Sequence, residues 1–147
     1  MCESDAYATR CAGEAWEAAR TYYEKCLRIA QDCGNTEGEA GAYCRLGQLL
    51  ESAGNNEEAL THHEKYLGLA NASGMEEESS EALKSLVGTY MVRAEEMEQQ
   101  GNKDQAVAYY EFCIKAAQEC YDSHSEGVAN HRLGLIPSHC CFRRLLA

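Results

Sequence analysis

The stretch Glu37–Gly74, EGEAGAYCRLGQLLESAGNNEEALTHHEKYLGLANASG, decides the fold. It reads as two helices with a tight break at Gly54-Asn55. The first carries Ala42, Leu46, Gly47 and Leu50 on one side. The second carries Ala59, His63, Tyr66, Leu67 and Ala70 at steps of three and four, which places them on one helical face. Neither helix buries that face alone, so the unit needs copies of itself alongside.

The chain supplies those copies. Before this stretch, Gly13 to Gly34 reads as a helix with an apolar stripe of Trp16, Ala19, Tyr23, Cys26, Leu27 and Ala30. Moving forward 40 residues lays Ala19 on Ala59, Tyr23 on His63, Leu27 on Leu67, Ala30 on Ala70 and Gly34 on Gly74. A further 47 lays Ala59 on Ala106, His63 on Tyr110, Leu67 on Ile114 and Gly54-Asn55 on Gly101-Asn102. Such self-similarity marks a solenoid. The intervening helices repeat as Arg45-Leu46-Gly47, Leu86-Val87-Gly88 and Arg132-Leu133-Gly134, and each Gly is expected at a close helix approach.

The step of 47 implies one lengthened helix, Glu81 to Gln100, with Arg93 to Glu98 expected to project beyond the stack. Met75 to Ser80 reads as a polar connector in which Ser79 or Ser80 caps that helix. Residues 1–12 look like the end of an earlier helix, and Pro137 is expected to stop the last one. The expected organisation is a helical repeat domain over 1–136 and an off-pattern tail over 137–147. The chain then begins and ends inside repeats, as a fragment or a form with a replaced ending would. Its apolar end is an expected self-association or docking surface.

Bulk properties narrow the function. The 147 residues make one domain, and a single Pro with two Phe argues for helix over sheet. A net charge of −11 disfavours nucleic acid and favours a basic or amphipathic protein partner, a peptide or a helix. The longest apolar runs fall far short of a membrane span. Nine cysteines and no visible signal peptide read as reduced thiols in the cytoplasm. Cys26 matches Cys113, and Cys33 matches Cys120, as small residues recurring at helix contacts.

No phosphate loop, dinucleotide fingerprint or nucleophile turn is present, so the expectation is a protein without catalysis, cofactor or metal. His62 and His63 diverge by about 100° on a helix, one facing the core and the other solvent. His139-Cys140-Cys141 has ligand chemistry but no paired CxxC. Tyr22 and Tyr109 coincide in register on the convex side and, with Trp16, form a candidate protein-binding strip.

Leu46-Gly47, Leu50, Gly54, Ala59 and His63 resemble the tetratricopeptide repeat, with Ala106 and Tyr110 closer to its pattern and His63 and Tyr66 departing from it. The resemblance covers about residues 7–135 and implies an all-α, right-handed solenoid of antiparallel helix pairs. The usual repeat is about 34 residues. The longer unit resembles the spindle-orientation scaffolds. The 47-residue unit before GNKDQAVAYYE resembles tetratricopeptide proteins associated with axonemal dynein in cilia and sperm flagella. The resemblance implies a scaffold that holds another protein.

In such a stack the first helix of each pair lines the concave surface. The residues expected to face it are Cys44, Gln48 and Glu51, then Ser85, Thr89 and Val92, then His131 and Leu135. They would hold an extended or helical peptide through amide and hydroxyl hydrogen bonds. Relatives that clamp a C-terminal carboxylate use Lys and Asn there. The matching Cys44, Gln48, Ser85 and Thr89 include no Lys, so that use is not expected.

Overall fold

The computed structural model describes the backbone of residues 3–137 and the side chains of residues 12–137. Among them are six helices: α1 (Glu3–Cys33), α2 (Thr36–Ser52), α3 (Asn56–Ala72), α4 (Glu76–Gln99), α5 (Lys103–Glu119) and α6 (Ser123–Leu135). Each packs on the helix before it and the helix after it. Tight turns make neighbours antiparallel, so the molecule is an all-α solenoid of helix pairs.

One turn design is used five times. The first residue past each helix cap adopts a left-handed φ: Gly34, Gly54, Gly74, Gly101 and Tyr121. The next N–H then reaches back to the carbonyl five residues earlier, as in Asn35 to Ala30 at 2.8 Å and Asp122 to Ala117 at 2.8 Å. This is a Schellman closure, and it satisfies carbonyls that the helix end would leave bare. At four turns the side chain of the same residue caps the next helix. Asn35, Asn55, Asn102 and Asp122 accept from the backbone N–H three residues on. Met75 opens α4 with no side-chain cap.

The expected stripes face inward. Ala59, Ala106, Ala70 and Ala117 are fully buried, which lets neighbouring backbones approach closely. Around them Leu86, Tyr90, Met97, Tyr110, Cys113 and Leu133 form the larger core, and Tyr43, Cys44, Tyr66 and Ala82 a second one. Cys113 donates to the Val87 carbonyl at 3.5 Å, and burial pushes its thiol up to about 11. It sits in the core as an inert thiol.

Four expectations about the chain's layout are corrected. Helix α1 runs unbroken through Gly13. Glu76 to Ser80 is the beginning of α4, so neither Ser79 nor Ser80 caps it. Arg93 to Glu98 does not project freely: Ala94 and Met97 are buried against α5, and Tyr110 donates to Glu98 at 2.7 Å. Only Gly47 makes the close approach. A Cβ there would lie 2.4 Å from His63 Cε1, whereas one at Gly88 or Gly134 meets open space.

The last correction has a simple cause. Measured from the Gly54 and Gly101 turns, α2 and α4 match at a spacing of 47, so Gly47 corresponds to Ala94, which is fully buried. Tyr43 likewise corresponds to Tyr90 and Leu50 to Met97, all buried. Helix α4 has 24 residues to the 17 of α2, and in this register the extra length lies at its N-terminal end. His62, expected in solvent, is half-buried with its ring centroid 5.9 Å from that of Tyr43. At the far end α6 stops at Leu135, Ile136 is extended and Pro137 follows, as its missing N–H requires. His139-Cys140-Cys141 lies outside the described residues.

Candidate functional site

Helices α2, α4 and α6 are the first members of their pairs, and side chains between them join the repeats. Glu51, half-buried at the end of α2, is the centre of the first junction. Thr89, buried on α4, shares its one hydroxyl proton between Glu51 and the Ser85 carbonyl, the latter at 2.9 Å. From the other side His63 Nε2 lies 3.2 Å from Glu51 Oε1, without the alignment of a full hydrogen bond. Burial pushes the Glu51 carboxyl up, but the His63 and Thr89 contacts outweigh it and hold the group below its ordinary range. Two turns lower, Cys44 is buried and its thiol faces Glu81 at 3.9 Å. Burial and that carboxylate raise the thiol pKa. Arg132 on α6 continues the pattern, 3.5 Å from Glu95 on α4.

The structure therefore divides the expected concave residues in two. Cys44 and Thr89 are buried and Glu51 is engaged between helices, so these three hold the stack together. The reason is spacing: adjacent first helices lie close enough for short side chains on their flanks to meet. Gln48, Val92, His131 and Leu135 are exposed and Ser85 is half-buried, which leaves them for the open face. Arg45 is exposed beside them and donates to Gln48 at 3.3 Å. Gly88 bares its backbone there. This face mixes amide, imidazole and guanidinium donors with two exposed aliphatic residues, and offers no nucleophile paired with a base.

Two further observations settle what kind of chain this is. Residues 6–72 and residues 87–120 each match a family model described as tetratricopeptide repeat. The chain belongs to the tetratricopeptide repeat family. Tetratricopeptide repeat protein 29 of Homo sapiens is 31% identical over 123 residues, covering 78% of this chain and 26% of that protein. Proteins of the same name in Macaca fascicularis and Rattus norvegicus are each 32% identical over the same length. The chain thus spans about a quarter of the length of these relatives. Tetratricopeptide repeats serve as protein–protein interaction scaffolds, and this solenoid is of that type. None of the described helices is long and apolar enough to cross a membrane.

The aromatic strip expected on the convex side does not assemble. The Trp16 indole N–H donates to the Leu49 carbonyl at 3.1 Å, with Arg20 over its ring, so Trp16 fastens α1 to α2. Tyr22 is 63% exposed on α1. Tyr109 instead lies under Arg93 and beside Tyr90 and Phe112. Sequence reasoning missed a different feature of this tetratricopeptide repeat solenoid, the cleft beside the first turns of α4. Its signal was Tyr121, which stands where the other turns have Gly.

Proposed function

We propose that this tetratricopeptide repeat segment is a scaffold without catalytic activity, and that the open face of α2, α4 and α6 holds a segment of a protein partner. The carrying observation is the division of that face. Cys44, Glu51 and Thr89 join the helices, while Gln48, Val92 and His131 remain exposed on three successive first helices. An extended or short helical peptide laid across them would meet Gln48 and Ser85 as hydrogen-bonding groups and Val92 as an apolar contact. The net charge of −11 favours a basic or amphipathic segment.

The setting we propose is the cytoplasm, within a ciliary or flagellar dynein assembly. Support comes from the 47-residue unit with its lengthened α4, the feature in which the chain resembles axonemal tetratricopeptide proteins.

A photo-cross-linking amino acid at position 48 or position 92, incorporated in the full-length protein in ciliated cells, tests the reading. We expect adducts to one partner from both positions and none from position 22 on α1. Adducts of the same partner from position 22 alone would remove the open face from consideration. Adducts confined to non-axonemal proteins would remove the ciliary setting and leave the scaffold standing.

A further inference from the structure

The first two turns of α4 extend past the end of α5, because α5 keeps its 17 residues while α4 has 24. This overhang opens a cleft of about 380 Å³ bounded by Asn71 and Gly74 at the end of α3, Glu76, Ser79 and Leu83 on α4, and Glu119 to Tyr121 at the end of α5. Leu83 and Glu119 also line a smaller neighbouring cleft that continues past Ala116 to Phe112 and Tyr90. The two form one trough on the side away from the proposed partner face.

Tyr121 marks this trough. It adopts φ 59°, where a bulky residue is disfavoured and where the other turns place Gly. The residue is 92% exposed, so no packing among the described residues offsets the strain. Phe112, 49% exposed, stands at the other end. Glu76 and Glu119 are exposed across the cleft from one another's helices and enter no ion pair among the described residues. No Lys or Arg lines the larger cleft, and the smaller one has a single cation, the exposed Lys115, against the two glutamates.

We infer that the trough between the ends of α3 and α5 is a second docking surface, whose occupant is a basic segment of a partner protein with an arginine beside large apolar side chains. Each part of the trough has a matching part in such a segment. The carboxylates of Glu76 and Glu119 take a guanidinium in charge-assisted hydrogen bonds. The Tyr121 ring gives it a face to stack on. Leu83, Ala116 and Phe112 take the apolar residues one turn further along. A second copy of this acidic chain would bring like charge to the same rim.

The test uses the full chain, labelled with 15N and titrated with a synthetic peptide of about a dozen residues in which arginine and leucine pairs alternate. The same peptide with glutamate for arginine is the control. We expect the arginine peptide alone to shift the amides of Asn71, Leu83, Glu119 and Tyr121. Combining Glu76→Lys with Glu119→Lys should lower its affinity about tenfold, the effect of losing one or two charge-assisted contacts. Gln48→Ala with His131→Ala should leave it unchanged, so failure here is distinct from failure of the open-face reading.

Tyr121→Gly separates binding from folding. It should raise the thermal midpoint by about 3 °C, through relief of the left-handed strain, and still weaken the peptide. Any of four results overturns the inference: no binding, equal binding of the glutamate peptide, unchanged binding after charge reversal, or shifts confined to α2 and α6. Broadening of the same amides with rising protein concentration and no peptide would assign the trough to a second copy instead.

Discussion

The pair α2–α3 and the pair α4–α5 solve one packing problem in two ways. In both, a small residue on the first helix faces an aromatic ring on the second, and a glutamate one turn on meets that ring's polar end. In the earlier pair the residues are Gly47, His63 and Glu51, with the imidazole over the bare Cα. In the later pair they are Ala94, Tyr110 and Glu98, with the phenol oxygen 2.7 Å from the carboxylate. His63 is shorter than tyrosine and reaches its glutamate only by lying closer to the helix, which removes the room for a Cβ. The longer Tyr110 reaches Glu98 while its partner helix keeps an alanine. The comparison teaches that ring length and the size of the facing residue are chosen together.

The largest effect is expected where that coupling is tightest. Gly47→Ala places a methyl group 2.4 Å from His63 Cε1, against a buried ring that has no room to retreat. The substitution should destabilise the fold by about 2–3 kcal/mol despite the better helix propensity of alanine. Ala94→Gly, in the equivalent place, should cost less, about 1–2 kcal/mol, from helix propensity and the loss of one buried methyl group. Urea unfolding of both variants measures the difference. Adding His63→Tyr to Gly47→Ala should recover part of the loss, because it restores the later pair's combination. Strict additivity would mean the two pairs are not equivalent.

A smaller effect is expected at the polar ends. Tyr110→Phe removes the hydrogen bond to Glu98, and Thr89→Val removes the hydroxyl that Glu51 and the Ser85 carbonyl share. Each should lower stability by about 1 kcal/mol. If the carboxylates matter only as solvated surface charge, both variants will unfold at the parent's urea midpoint.

Much of this comparison was legible before any coordinates. Gly followed by Asn at 34, 54 and 101 announced the turns, because a left-handed residue and a capping amide are both needed there. The stripes of α3 and α5 announced their buried faces. The register of α4 was hidden by geometry. Seven inserted residues turn a helix by almost two full circles, so spacings of 40 and 47 present nearly the same face. Val87 and Ala94 are accordingly both buried, while Gly88, picked out by its resemblance to Arg45-Leu46-Gly47, lies about 100° away in the open. The start of α4 was hidden by chemistry. Its acids and serines look like a linker, and Met75 lacks a capping side chain. The open face was legible only in part, because exposure of Gln48 and burial of Thr89 depend on where the next helix lies.

The smallest effect concerns protons and tests whether the earlier pair alone carries a titrating weakness. Burial depresses the His62 pKa below its ordinary 6.5, and its Nδ1 is buried without a partner. The unfolded chain therefore binds the proton more readily, and stability should fall as the pH drops below about 6.5. Glu51, held below its ordinary 4.5, gives a second loss only as the pH falls beneath that value. His62→Gln should flatten the stability profile between pH 7 and pH 5 and leave the lower limb in place; Glu51→Gln should reduce the lower limb and spare the upper one. The later pair has no histidine among Ala94, Tyr110 and Glu98, so no upper limb should originate there. A His62→Gln profile parallel to the parent's would move the proton-linked weakness away from this half of the solenoid.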